Sequence, residues 1–114
     1  MTIEQTNKID VIAINKMNGK VTLGITDHLI WENSEVHLKT LQEKLNTYLH
    51  FVESGQIYTA YPDAKDRSIE ITHYTKYPIN DTGKAFINQA NNFIKDIGIT
   101  ITTIQYDPES MDSV

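Results

Sequence analysis

From Ile9 to Asn15 the chain is apolar and β-branched, and from Val21 to Thr26 apolar Val21, Leu23 and Ile25 alternate with Thr22, Gly24 and Thr26. Asn18-Gly19 lies between the two runs, and an Asn-Gly pair is a strong hairpin signal because both central positions of a type I′ turn need positive φ. After "DHLIWEN" the period changes. Ser34 is placed to cap a helix whose apolar residues Leu38, Leu41, Leu45, Tyr48, Leu49 and Val52 recur at spacings of three and four, with Gly55 as its stop. Ile57 to Tyr61 and Ser68 to Tyr77 read as a second hairpin around Pro62-Asp63, since Ile69 and Ile71 alternate with Ser68, Glu70 and Thr72. Pro78 and Asp81 introduce a second helix with Phe86, Ala90, Phe93, Ile94 and Ile97 on one face and Asn88, Gln89, Asn91 and Asn92 mostly on the other, ended by Gly98. A last β-branched strand begins at Ile99.

The predicted order is ββαββαβ in an α+β fold. Two one-faced helices would pack on one face of a mainly antiparallel sheet of four or five strands. The place of the last strand in that sheet does not follow from the pattern. At 114 residues the chain suits a single domain, residues 1–114, with 1–7 and 107–114 expected as flexible tails.

Charge removes one class of partner. Ten basic against fifteen acidic residues give a net charge of -5, and no Lys/Arg cluster is long enough to follow a phosphate backbone, so nucleic acid is not expected. The absence of cysteine excludes disulfides, thiolate chemistry and cysteine-based zinc sites. The opening "MTIEQTNKID" lacks the character of a signal peptide, and no apolar run reaches the length of a membrane span, so a cytoplasmic protein with no membrane contact is the expectation.

Candidate chemistry is sparse. A two-residue loop at Asn18-Gly19 would pair Ile14 with Leu23, Ile12 with Ile25 and Asp10 with Asp27. Two carboxylates in that position would share a proton or recruit a cation, while the competing reading has each of them capping a turn or facing water. His28 follows Asp27 and precedes Trp31, and parity puts His73 on the face of Ile69 and Ile71, where a hydrogen-bonded histidine at the core edge is the default. His28, His37, His50 and His73 form no paired metal-ligand spacing, so neither a metal nor another cofactor is expected. No nucleophile motif, phosphate-binding loop or dinucleotide fingerprint occurs. Tyr58, Tyr61, Tyr74 and Tyr77 offer rigid area with a polar tip, suited equally to a binding surface and to a sheet rim. The outer face of the first hairpin would pair Val11 with Thr26 and Ala13 with Gly24, a small-residue surface on which a second copy could dock.

Taken together, "IDVIAI", "DHLIW", "LQEKLNTYLHFVESGQIY" and "YPDAK" resemble an uncharacterised family of small bacterial proteins, a domain of unknown function, over nearly the whole chain. The resemblance implies a bacterial cytoplasmic α+β protein and brings no activity, substrate or cofactor. Where family members look richer in Glu and Lys on the second helix, this chain carries an Asn/Gln face, which puts a binding role for that helix in doubt.

The leading expectation is a non-enzymatic protein-binding module of immunity or inhibitor type, using its acidic surface and tyrosine-bearing rim. Its rivals are a small-ligand or metal-dependent enzyme built on Asp10, Asp27, His28 and His73, and a structural homodimer. The binding candidates are Asp10, Asp27, His28, Trp31, Tyr58, Tyr61 and His73, with no residue assigned to catalysis.

Overall fold

The computed structural model describes residues 3–32 and 34–106. Its sheet has four strands in the order β1 (Val11–Ile14), β2 (Val21–Asp27), β3 (Ile69–Thr75) and β4 (Thr100–Gln105). The first pair is antiparallel and the other two are parallel. Helix α1 (Ser34–Glu53) carries the chain from β2 to β3, and α3 (Asp81–Ile94) carries it from β3 to β4. The order is therefore ββαβαβ.

This corrects the expected second hairpin and with it the mainly antiparallel sheet. Ile57 to Tyr61 does not pair with Ser68–Tyr77. Gln56–Ala60 forms the short helix α2, followed by a 3-10 turn at Pro62–Ala64. The physical reason lies in the spacing of the apolar groups. Ile57 and Ala64 are fully buried and Tyr61 packs against the same core, a four-and-three recurrence that suits helical turns rather than alternation. Gly55, at φ 80°, ends α1 as expected, and α2 then returns the chain to the end of the sheet where a parallel strand must start.

The first hairpin forms, in a different register. Ile14 faces Val21, Ile12 faces Leu23 and Val11 faces Gly24, and the Asn15 amide donates to the Lys20 carbonyl at 2.8 Å. The loop is thus wider than two residues. Asn15 Oδ1 accepts from the Met17 amide and Asn18 Oδ1 from the Lys20 amide, side-chain turns that hold the longer loop open. A slip of two preserves which face each side chain occupies, but it takes Asp10 away from Asp27. On the outer face Val11 and Ala13 now oppose Gly24 and Thr22, not Thr26 and Gly24.

Val21, Leu23, Ile25 and Asp27 on β2, with Ile69, Ile71, His73 and Thr75 on β3, make one buried face of the sheet. Leu41, Leu45 and Tyr48 of α1 and Ile87 and Ile94 of α3 belong to the same core, and the two helices touch each other across it. The buried stripe of α1 is turned from the expected one. It runs through His37, Leu41, Lys44, Tyr48 and Phe51, leaving Leu38, Leu49 and Val52 at its edge.

The buried side of α3 is also turned. Phe93 is 82% exposed and Ile97 is exposed, whereas Gly83, Ile87 and Ile94 face inward and Asn91, expected among the outward polar residues, reaches the sheet. Asn91 donates to the Ile101 carbonyl and accepts from the Ile101 amide, tying α3 to β4. Asn80, not Asp81, caps this helix by accepting from the Gly83 amide at 2.8 Å.

Residues 3–7, expected in a flexible tail, are anchored. Ile3 is fully buried and its amide donates to the Thr26 carbonyl. Residues 107–114, the other expected tail, lie outside the described residues. Among the described residues no helix is long and apolar enough to cross a membrane.

Candidate functional site

Asp27 is the last residue of β2, and the core-facing parity of that strand puts its carboxylate under the helices rather than in water. Four groups converge on it. His37, one turn before Leu41 on the buried stripe of α1, contacts Asp27 Oδ2 through Nε2 at 2.6 Å. His73, two residues beyond Ile71 on β3, contacts the same oxygen through its Nε2 at 2.7 Å. The Leu29 amide donates to Oδ1, and the Asp27 carbonyl accepts from the Lys76 amide. Burial pushes the Asp27 carboxyl up, but the hydrogen bonds from His37 and His73 outweigh it and hold the pKa at about 2.

Hydrogen-bond bookkeeping separates the two imidazoles. With Nε2 of His37 against the ionised carboxylate and Nδ1 3.2 Å from the Ile30 carbonyl, both ring nitrogens face acceptors, a pair of contacts that a doubly protonated ring would fill on both sides. His73 differs. Its Nδ1 meets the Thr103 hydroxyl at 3.2 Å, a group that can donate, and a second buried cation would have no carboxylate left to balance it. These contacts suit a ring that donates to Asp27 and accepts from Thr103.

Trp31 closes the cluster from above. Its ring stacks on His37, with centroids 3.7 Å apart, and meets His73 edge-on. The close approach of α3 to Trp31 depends on Gly83. A Cβ there would sit 2.9 Å from Trp31 Cζ3 and 2.6 Å from Ile79 Cγ1, too close for either to stay in place. Trp31 Nε1 and Thr75 Oγ1 are buried without a hydrogen-bond partner among the described residues.

The cluster reaches the surface at one end. Thr103 lines a cleft of about 400 Å³ with Thr75, Pro78, Ile79, Lys84 and Gln105, at the carboxyl ends of β3 and β4 and beside the start of α3. Thr75 neighbours Asp27 across the β2–β3 pairing. Open α/β sheets place their ligands at the carboxyl ends of parallel strands. An apolar groove between α1 and α3, lined in part by Leu45, Leu49, Phe86 and Phe93, has none of the buried titratable groups in its wall.

Asp10 belongs to a separate assembly. Its Oδ1 accepts from Lys44 Nζ at 2.7 Å, both side chains being buried, and its Oδ2 accepts from the Thr26 amide. Lys44 Nζ also donates to the Gln5 carbonyl. The Tyr48 hydroxyl accepts from the Asp10 amide and donates to the Gly24 carbonyl, and burial raises its pKa far above the usual tyrosine range. The expected carboxylate dyad is thus replaced by two carboxylates with different partners.

The remaining candidates disperse. His28 is exposed and pairs with Glu4 at 3.0 Å, away from Asp27. Tyr58 is exposed on α2, and Tyr61 packs against the core at the end of that helix. Of the sequence candidates, only Asp27, Trp31 and His73 meet. Sequence reasoning missed His37, Thr75, Lys84 and Thr103 as neighbours of this site. Spacing from known core residues carries a signal for two of them, since His37 precedes Leu41 by a helical turn and Thr103 follows Ile101 by two on its strand. Among the described residues no group of three or more His, Cys, Asp or Glu is arranged to hold a metal ion.

No curated protein and no solved structure matches the chain. A family model does match it over residues 1–107, and the chain belongs to that family, a family of unknown function (DUF6572).

Proposed function

We propose that the protein binds a small molecule in the cleft at the carboxyl ends of β3 and β4, with Thr103 presented to it by the buried His73–Asp27 pair. One observation carries this reading: the Asp27–His73–Thr103 chain ends on a residue that lines an open cleft. A hydroxyl held by an imidazole whose far nitrogen rests on a carboxylate is set up to give and recover a proton. That supports an acid–base role for Thr103 toward a bound ligand. Of the enzyme reading on Asp10, Asp27, His28 and His73, only Asp27 and His73 remain in it.

The test is a ligand screen by amide-shift NMR on the wild type and Thr103→Val. Ligands that perturb Thr75, Lys84 and Thr103 and lose affinity in the variant are the expected result. Ligands that bind only elsewhere, or that bind the variant equally well, would remove the reading.

A second reading, the protein-binding module, is favoured by a different observation. Phe93 stands 82% exposed at the rim of the apolar groove between α1 and α3, on a chain with net charge -5. A basic protein partner in the same bacterial cytoplasm suits that combination. The outer face of β1 and β2, where Val11 is exposed, is the corresponding surface for a homodimer. Capture from native cells with wild-type and Phe93→Ser bait, alongside light scattering at several concentrations, tests both. A stoichiometric partner lost with Phe93→Ser supports the module; a strictly monomeric protein that retains no partner counts against the module and the dimer alike.

A further inference from the structure

We infer that the ligand of this cleft carries an anionic group, a carboxylate or a phosphate, seated between Lys84, the first turn of α3 and the hydroxyl of Thr75. The inference rests on the small-molecule reading of the cleft and names the chemistry of what enters it.

Three observations converge. Among the described residues the cleft is lined by a lysine and no carboxylate, although acidic residues outnumber basic ones by fifteen to ten in the chain as a whole. A lysine in such a wall is a positive feature on a negative molecule. Second, Thr75 is 1% exposed, lines the cleft and has no partner for its Oγ1 among the described residues. A buried hydroxyl without a partner costs free energy, and an acceptor on a ligand would remove that cost. Third, α3 is fourteen residues long and starts beside the cleft, where Ile79 and Lys84 flank its first turn. Asn80 takes up the Gly83 and Lys84 amides, while the Asp81 and Thr82 amides, by helix geometry, have no acceptor within the helix. Amide dipoles at a helix start favour negative charge. Asp81 offers its own carboxylate to that end of the helix, exposed and outside the cleft lining, so the seat itself stays open.

The seat and the relay are neighbours. Thr103 lies in the same wall as Thr75 and Lys84, so an anion held by Lys84 would bring the rest of its molecule to the hydroxyl that His73 controls.

The experiment is an amide-shift titration at low salt with inorganic phosphate and, separately, with acetate, on the wild type, Lys84→Gln, Thr75→Val and Thr75→Ser. Saturable shifts at Thr75, Asp81–Lys84 and Thr103–Gln105 are expected for at least one of the two anions. Lys84→Gln should weaken binding about fivefold to tenfold, because it removes a charge-assisted hydrogen bond. Thr75→Ser should bind as the wild type does and Thr75→Val more weakly; if the valine variant unfolds, the serine and glutamine variants still decide the question. Lys95→Gln, far along the chain at the end of α3, serves as the charge control and should bind unchanged. No saturable shift with either anion, shifts elsewhere, or equal loss in Lys84→Gln and Lys95→Gln would overturn the inference.

Its failure is distinguishable from failure of the small-molecule reading. Neutral ligands that bind the cleft and depend on Thr103, with no anion binding, would overturn the anion alone. Anion binding that depends on Lys84 but ignores Thr103→Val would uphold the anion and remove the acid–base role.

Discussion

Two buried carboxylates lie under the same helix α1 and end differently. Asp10 is matched by a buried lysine, and the hydrogen bonds that lead on from it through Lys44 and Tyr48 reach the backbone carbonyls of Gln5 and Gly24. Asp27 is matched by two imidazoles, and one line that leaves it passes through His73 to a threonine on the wall of a cleft. Both are expensive to bury and both are paired. What separates them is where the network stops. The Asp10 assembly pins the N-terminal segment and β2 to α1, which is the work of a fastener. The Asp27 assembly fastens α1 to β2 and β3 as well, and in addition contacts a hydroxyl on a residue that lines the cleft.

The largest effect should come from breaking the closed assembly. Lys44→Met leaves the Asp10 carboxylate buried without its cation and should cost about 3–5 kcal/mol in urea unfolding. Its cleft, if the variant remains folded in the cold, should keep its ligand shifts. Loss of the cleft shifts in a folded Lys44→Met protein would erase the distinction between the two regions.

Asp27→Asn comes next, at about 3 kcal/mol, because it removes the buried carboxylate that both imidazoles contact. Here stability and cleft chemistry should fall together. A variant that is destabilised but keeps an unaltered dependence of ligand binding on Thr103 would show that Asp27 is a fastener only.

The sequence made the first assembly hard to see and the second partly visible. Asp10, Asp27, Trp31 and His73 attracted notice because polar groups stood beside strand-forming runs. Lys44 did not, and His37 was weighed only for metal-ligand spacing, because on a helix a polar residue reads as surface unless the apolar stripe is followed through it; Leu41 and Tyr48 bracket Lys44, and His37 lies one turn before Leu41. The strand elements themselves were largely legible, since every second residue of β2 and β3 is buried, although Gly24 and Thr72 between them are buried too. Their parallel pairing was not. Local patterning carries no sign of strand direction, and that direction was decided by Ile57, Tyr61 and Ala64 folding as helical turns. Thr75, Lys84 and Thr103 came together only through that parallel topology, which sets the ends of β3 and β4 side by side.

Acid should act on the second assembly. The Asp27 carboxyl titrates near 2 in the folded protein and near 3.8 unfolded, so its contribution is complete above pH 4 and is lost as pH falls towards 2. That difference corresponds to about 2 kcal/mol. Urea midpoints between pH 2 and 6 should fall steeply for the wild type and less so for Asp27→Asn; identical slopes would mean that the pair contributes no linkage.

Alkali should act on the first. The raised Tyr48 hydroxyl contributes stability that is full below the unfolded tyrosine value and declines as pH rises above about 10. Tyr48→Phe should flatten that decline. The smallest expected stability effect is that of Thr103→Val, under about 1 kcal/mol, since it removes one neutral hydrogen bond at a half-open position.

The most direct measurement is the nitrogen spectrum of the histidine rings in wild type and Thr103→Val. The account predicts a protonated Nε2 and an unprotonated, hydrogen-bonded Nδ1 for His73, and two protonated nitrogens for His37. It also predicts that Thr103→Val moves the His73 Nδ1 resonance and leaves both His37 resonances in place. A proton on His73 Nδ1, or a spectrum that ignores the loss of Thr103, would contradict the claim that the buried Asp27–His73 pair reaches the cleft.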